Sequence, residues 1–491
     1  MRDYIDVFIN GREHRLEGEA VFLPITDYLR YDAGLCGTKV VCAEGDCGAC
    51  TVMLGRLVED EIEYKPVNAC ILYGYQVDAC HIVTVEGLKK DGALNRVQEA
   101  MVECHGAQCG YCTPGFVMAM TAIFDKCSEE SGSACAERCS EKNIRDGLVG
   151  NLCRCTGYEA IVKAGLAVDA SALVSFRELF PEENMIERFR ELANIRAEIA
   201  HEGKMAILPS ALSELVEARC GYPGARIVGG GTDLSVQLNK GMIEIETMIS
   251  IANVDELDYV TGSEQNGREI VEVGARVSLA ELESYLLERH CDIDYIFWVF
   301  GSPQIRNSGT LAGNIANASP IADTPPYLFV MDAEVIAVGP KGERSIPITE
   351  FYSGYKTLTL AKDEVIKAIR FGLPRADETL KLYKISRRQH LDISAFTAAI
   401  RLKREGEKIV EAAVAYGGVA ATILRMKEVE EFLKGKPYTL ETFEEAGRIA
   451  TDSIKPLSDV RGSSSYRSQL AENIMTKFYY ETAREEELAC L

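Results

Sequence analysis

The chain has 491 residues, 47% hydrophobic and 26% charged, with a formal net charge of -22 at pH 7. That length accommodates several domains with cores of their own, and the negative balance excludes non-specific attraction to nucleic acid or to an anionic membrane. No stretch approaches the about 20 consecutive apolar residues of a membrane span, and the start "MRDYIDVFIN" has neither a cationic leader nor an apolar core, so a cytoplasmic location is expected. Seventeen cysteines without an export signal point to metal ligation in preference to disulfides.

Residues 3–9, "DYIDVFI", alternate in polarity, and Asn10-Gly11 before "REHRLEG" is a two-residue hairpin signal. "PITDYLRYDAG" predicts a short helix with Thr26 or Asp27 near its start and Gly34 near its end. "CTVMLG" and "IVTVEGL" are β-branched runs that close a small sheet by residue 86. Residues 87–170 then read as helical. "ALNRVQEAMVEC" has apolar positions at helical spacing, and "TPGFVMAMTAIFDKC" offers Thr113 as N-cap with Pro114 at the first helical position. "NIRDGLVGNLCRCTGYEAIVKAGLAV" holds two more helical stretches, and the polar "SEESGSACAERCSEKN" before it is a loop.

Residues 171–203 are charged and helical, a linker. Across 204–378, strands such as "ARIV", "IVEVGA" and "AEVIAV" alternate with helical segments such as "SLAELESYLLER". Residues 379–491 open with the strands "KLYKISRRQHLDISAFTAAIRLK" and "IVEAAVAYGGVA" and end in helices. The expected fold class is multidomain α+β, divided 1–86, 87–170, 171–203, 204–378 and 379–491.

Cys42, Cys47 and Cys50 form C-x4-C-x2-C, and with Cys70 they have the plant-type 2Fe-2S spacing. Such a loop must aim successive thiolates inward, and Gly45 and Gly48 permit positive φ and close backbone approach. Zinc is the competing reading, although zinc sites usually pair CxxC units. Cys109 and Cys112 in "QCGYCTPG" and Cys153 and Cys155 in "NLCRCTGY" supply two ligand pairs for a second four-thiolate site. A lone CxxC is weak, shared with redox dithiols and zinc knuckles; the C-x-C partner makes the combination specific. Cys127, Cys135 and Cys139 could bind a further metal, but no fourth ligand accompanies them.

"GTKVVCAEGDCGACTV", "QCGYCTPGF" and "GNLCRCTGY" resemble the iron–sulfur half of the molybdenum hydroxylases, the xanthine dehydrogenase and aldehyde oxidase group. The resemblance implies a ferredoxin-like β-grasp domain followed by a helical 2Fe-2S domain, with cluster ligands Cys42, Cys47, Cys50 and Cys70, then Cys109, Cys112, Cys153 and Cys155. Relatives often have glycine where this chain has Val41, Ala43 and Asp46, a difference that bears on cluster potential.

"RIVGGGTDLSV", residues 226–236, sets three glycines after a strand, where backbone amides can cradle a pyrophosphate or simply form a turn; it is not the GxGxxG of a nicotinamide domain. "FGSPQIRNSGTLAGNIANASPIADTPP", residues 300–326, is too polar for a buried strand and reads as a loop for a second part of a dinucleotide. Both segments resemble the flavin domain of the same family. The resemblance implies FAD contacts at Ile227, Val228, Gly229, Gly230, Gly231, Thr232, Asp233 and Leu234, at Thr310, Leu311, Ala312, Gly313 and Asn314, and at Asp323. It adds Phe300 against the isoalloxazine ring, and Ile366 and Lys384 as later contacts; taken alone, Phe300 could be core and Lys384 a surface charge. Tyr355, Arg387 and Arg388 fall where the family approaches NAD, or are surface and interface residues.

Taken together, the resemblance implies an oxidoreductase subunit with two 2Fe-2S clusters and FAD, receiving electrons from a separate molybdopterin-binding large subunit and passing them to NAD. A dimer of heterodimers is the implied assembly, and no side chain of this chain is expected to act as a general acid or base. The same role in a relative that oxidises an aldehyde, an N-heterocycle or carbon monoxide is the alternative among enzymes, and a non-catalytic iron–sulfur carrier or assembly factor is the alternative from another class.

Overall fold

The computed structural model describes residues 1–125, 139–289 and 293–489. It divides into two compact units, Met1–Glu256 with Gly301–Gly309, and Leu257–Phe300 with Thr310–Leu491. The chain is multidomain α+β. The division cuts the polar segment 300–326 twice, and that segment is not a continuous loop: it contains the short helices Pro303–Arg306 and Leu311–Ala316 and the start of Pro325–Val330.

In the first unit, β1 (Ile5–Ile9) and β2 (Arg12–Leu16) form the hairpin that Asn10-Gly11 predicts. Both turn residues have positive φ, 49° and 77°, and Ile9 pairs with Arg12. β3 (Thr51–Val58), β4 (Glu61–Asn68) and β5 (Cys80–Val83) complete a sheet ordered β2-β1-β5-β3-β4, with β1 and β5 parallel. "PITDYLRYDAG" does turn helically, first over Ile25–Asp27 and then in a wider π turn over Tyr28–Asp32, with Pro24 at the cap position and Gly34 at φ 70° beyond its end.

The helical part begins with Arg96–Glu103, whose Asn95 and Gln98 form a reciprocal capping box. Thr113 does not cap the next helix, Thr113–Phe124. Cys112 occupies the cap position, because Phe116 N–H already donates to the Cys112 carbonyl at 3.2 Å, and the buried Thr113 hydroxyl has no hydrogen-bond partner. Helices Glu141–Gly147 and Glu159–Ala167 complete a core around Phe116, Phe124, Ile144 and Ile161. Cys139 is half-buried at its edge; Cys127 and Cys135 lie outside the described residues.

Residues 171–203 contain the helices Phe176–Leu179 and Glu183–Ala193 and then a strand, β6 (Ala197–His201). With β7 (Lys204–Leu208), β8 (Arg226–Val228) and β9 (Thr247–Ser250) it forms a second sheet ordered β6-β7-β9-β8, in which β7, β9 and β8 run parallel.

The second unit has a sheet of β10 (Val260–Gln265), β11 (Arg268–Gly274), β12 (Glu334–Gly339), β13 (Gly342–Pro347) and, after the small hairpin β14 (Tyr352–Gly354) and β15 (Thr357–Leu358), β16 (Val365–Gly372). Its order is β10-β11-β16-β12-β13, antiparallel throughout. A second antiparallel sheet follows from β17 (Glu378–Ile385), β18 (Phe396–Glu405), β19 (Lys408–Gly417) and β20 (Leu424–Arg425), covered by helices Lys427–Leu433, Leu440–Asp452 and Ser464–Ala489. The buried Glu378 carboxylate accepts from both Arg268 and Arg401, which ties the two sheets at their junction.

Candidate functional site

The loop carrying Cys42, Cys47 and Cys50 follows the π turn and ends where β3 starts. Ala43, Gly45 and Gly48 all have positive φ (57°, 73° and 66°), which curls the backbone so that its amides face inward. Glu44 N–H points at Cys42 Sγ at 3.5 Å, and the Asn68 amide fixes the turn by donating to the Gly45 carbonyl at 2.9 Å. Cys70 enters from the turn after β4. Cys50 and Cys70 are each 2% exposed, with Ile71, Val40, Val236 and Ile305 packed around them.

The four thiols are linked in a chain of contacts, Cys47 to Cys42, Cys42 to Cys70 and Cys70 to Cys50. Contacts from Cys47 and then Cys70 push the Cys42 thiol far down. The Cys47 thiol is pushed up by its bond to Cys42 and then by burial, and Cys70 by its bonds to Cys42 and Cys50 and then by burial. Four thiols converging in this way, with backbone amides aimed at the sulfurs, fit a group that takes four thiolates and has sulfur atoms to accept hydrogen bonds.

Cys109 and Cys112 precede the helix Thr113–Phe124, and Cys153 and Cys155 precede the helix Glu159–Ala167. The sulfurs of Cys109 and Cys155 are 3.7 Å apart and exposed. Burial, then a hydrogen bond with Cys153, pushes the Cys112 thiol up to about 12. Burial would also raise Cys153, but hydrogen bonding to Thr156, 3.1 Å away, leaves it lowered. Tyr158, held at φ 70°, accepts from Cys153 N–H with its hydroxyl at 3.0 Å. These four cysteines likewise fit a four-thiolate group.

The two cysteine loops touch. Leu152 N–H donates to the Cys47 carbonyl at 3.0 Å, and the Asn151 amide donates to the Gly48 carbonyl at 3.0 Å. A Cβ on Gly48 would lie 2.2 Å from the Gly150 carbonyl oxygen, so both contact and φ demand glycine there. Gln304, 1% exposed, donates to Asn151 Oδ1 at 2.9 Å and to Thr51 Oγ1 at 3.3 Å. Sequence reading assigned its segment to flavin and missed this role.

Of the residues expected at FAD, Ile227 to Leu234 lie in the first unit, where β8 runs into the glycine turn. Gly231 has φ 70°, whereas Gly230 is glycine because a Cβ would meet the Ser308 carbonyl oxygen at 1.7 Å. The Gly229 carbonyl accepts from the buried Gln76 amide at 3.1 Å, and Asp233 from Gln237.

Phe300, Thr310 to Asn314, Asp323, Ile366 and Lys384 lie in the second unit. Phe300 packs on the core of that unit. Thr310 caps the helix Leu311–Ala316 by accepting from Gly313 N–H at 2.9 Å; Ala312 is buried and Asn314 Oδ1 accepts from the Thr324 hydroxyl at 2.7 Å. Ile366 flanks a bulge of β16 against β12. Lys384 is not a surface charge: its ammonium sits 2.7 Å from Asp323, whose other oxygen accepts from Ser394 at 2.5 Å, with side chains 2% and 9% exposed. Ser394 carried no signal in the sequence beyond its place in "DISAF". Tyr355, Arg387 and Arg388 are exposed, the arginines bonded to the Val460 carbonyl and to Asp392.

Comparison with known proteins agrees with these modules. Residues 84–166 match the family described as a 2Fe-2S binding domain, 200–375 the FAD binding domain in molybdopterin dehydrogenase, and 381–482 the CO dehydrogenase flavoprotein C-terminal domain. Xanthine dehydrogenase 1 of Arabidopsis thaliana is 29% identical over 96% of this chain and 39% of its own length; xanthine dehydrogenase/oxidase of Gallus gallus is 28% identical over 97% and 40%. The chain therefore spans about two fifths of the length of these curated relatives. Among solved structures, a carbon monoxide dehydrogenase from Hydrogenophaga pseudoflava superimposes with TM-score 0.53 at 25% identity, over 55% of this chain and 94% of the other. Quinoline 2-oxidoreductase from Pseudomonas putida 86 gives 0.52 at 26%, over 57% and 96%. The matched domains define an iron–sulfur flavoprotein. The chain carries the 2Fe-2S and FAD-binding domains of the molybdenum hydroxylases and resembles the iron–sulfur and flavin part of those oxidoreductases.

Proposed function

We propose that this chain is the electron-transfer subunit of a molybdenum hydroxylase, and that the assembled enzyme is a xanthine dehydrogenase. In this reading a separate molybdopterin-binding subunit oxidises the purine, and electrons pass through two 2Fe-2S clusters to FAD and on to NAD. The modules are a β-grasp ferredoxin-like domain (1–86), a helical 2Fe-2S domain (87–170), a linker (171–203), an FAD-binding domain (204–378) and a C-terminal flavoprotein domain (379–491). Location in the cytoplasm and a dimer of heterodimers belong to the same proposal.

The observation that carries the reading is the pair of four-cysteine sets joined by the bond from Leu152 N–H to the Cys47 carbonyl. That bond joins the loop of the first set directly to the loop of the second, which supports a path between them. Cys42, Cys47, Cys50 and Cys70 would hold the first cluster, and Cys109, Cys112, Cys153 and Cys155 the second; such clusters supply one-electron redox chemistry, and flavin couples one-electron to hydride transfer. The protein binds, orients and insulates them. For the flavin, Ile227 to Leu234, Phe300, Thr310 to Asn314, Asp323, Ile366 and Lys384 are the proposed contacts, and the pairing with Lys384 fixes the orientation of the Asp323 carboxylate.

Purification from native extract tests the reading. A molybdenum-containing partner should co-purify, with about four iron and one flavin per copy of this chain, and the complex should oxidise xanthine with NAD as acceptor. The likeness to carbon monoxide and quinoline enzymes makes a panel of xanthine, quinoline and carbon monoxide the decisive substrate test. Two clusters without flavin, or the absence of NADH oxidation with a dye acceptor, would favour the carrier reading instead.

A further inference from the structure

The short helix Leu234–Asn239 leaves the glycine turn and ends at the first cysteine site. Its last residue and the next one hold that site's backbone. Asn239 Nδ2 donates to the Cys70 carbonyl at 2.8 Å and to the Ala43 carbonyl at 2.9 Å. The amide cannot turn the other way, because its oxygen would then face two carbonyl oxygens that have no hydrogen to give; as placed, it accepts from the Tyr73 hydroxyl at 2.8 Å. Lys240 Nζ donates to the Cys42 carbonyl at 3.0 Å and pairs with Glu44 at 3.1 Å. One turn above, Val236 packs on Cys50 and Cys70.

We propose that Asn239 and Lys240 are positioning residues of the first cluster: the amide clamps the Cys70 turn to the Cys42 loop, and the ammonium favours the reduced state. The proposal rests on reading Cys42, Cys47, Cys50 and Cys70 as a 2Fe-2S site. Two arguments carry it. Both hydrogens of one amide are spent on carbonyls from the two chain segments that bring thiols together, so the clamp sets the separation of those segments. An added electron makes the cluster more negative, and a cation on the carbonyl of a ligand residue stabilises that charge, weakened here because Lys240 is solvent-exposed and paired with Glu44.

The test is a redox titration of the purified holoenzyme followed by electron paramagnetic resonance, with each cluster read from its own signal. Lys240→Met should lower the reduced-to-oxidised ratio of the first cluster at fixed potential by roughly threefold, about 28 mV for a one-electron couple, while Lys240→Arg restores it. Asn239→Leu should alter the first cluster's g-values or lose iron from that site alone. The second cluster's signal stays at its parental position in all three variants. First-cluster signals and midpoints unchanged in both Lys240→Met and Asn239→Leu, at full iron content, would overturn the proposal, as would equal shifts in both clusters. Parent enzyme without two distinct two-iron signals would instead refute the reading of the cysteine sets.

Discussion

Cys50 and Cys70 sit behind Ile71, Val236 and Ile305, each 2% exposed, whereas Cys109 and Cys155 face solvent across 3.7 Å. The donors are identical and the surroundings unequal, although Cys42, Cys47 and Cys112 are all half-buried and Cys153 is buried. The more enclosed site takes more of its properties from fixed amides and neighbouring dipoles, since water screens them less. An open site keeps its neighbours few and its sulfurs within reach of another molecule. In the proposed function the first site is poised by the protein and the second is the one a donor reaches.

Removing one ligand from each site gives the largest effect. Cys70→Ser should abolish the first cluster and, by leaving a cavity in packed surroundings, lower the melting temperature; Cys155→Ser should abolish the second with little change in melting. Iron content with a thermal scan reads both, and equal melting losses would erase the contrast.

Two glycines sharpen it next. Gly48 and Gly157 have the same φ of 66°, but a Cβ on Gly48 meets backbone at 2.2 Å and one on Gly157 meets nothing within 4 Å. Gly157→Ala should cost about 1 kcal/mol, the strain alone. Gly48→Ala should cost about 3 kcal/mol or more, since the two cysteine loops must part, and denaturant midpoints measure both.

Acid tests the enclosed side. His81, fully buried on β5 of the first sheet, accepts from Gly11 N–H on Nε2 at 3.0 Å, so Nδ1 bears the proton and donates to Tyr64 at 2.7 Å. Burial pushes its pKa down to about 3 from 6.5. Its contribution is fully present above pH 6.5 and is lost as the pH falls toward 3, because the unfolded chain takes up the proton first. The slope is about 1.4 kcal/mol per pH unit within that window. His81→Gln should remove this slope between pH 6.5 and 5 in urea titrations.

The smallest effect belongs to the open side. Tyr158→Phe deletes one hydroxyl that accepts from Cys153 N–H and should cost about 1 kcal/mol, with faster loss of the second cluster's signal to a chelator.

Local rules made part of this legible. The Asn10-Gly11 hairpin and the spacing of the eight cysteines are written in neighbouring residues. What escaped depends on contacts between distant residues. Gln304 sits in a stretch whose composition suggests a dinucleotide loop, yet it bonds to Asn151, 153 positions away. Lys384 carries a charge that sequence alone cannot place, and only the return of Asp323 beside it makes burial tolerable. Thr113 misled for a smaller reason: Cys112 had already begun the helical turn.

Ile305 packs against Cys50 and Cys70, and its Cδ1 would stand 3.0 Å from a Cβ on Gly45. In the order of synthesis this wall arrives long after the cysteines it covers. During translation the first thiol set is therefore complete in ligands but open on one side until residues 301–309 emerge and fold back. A fragment cut after residue 170 would carry all eight of these cysteines and still lack that wall.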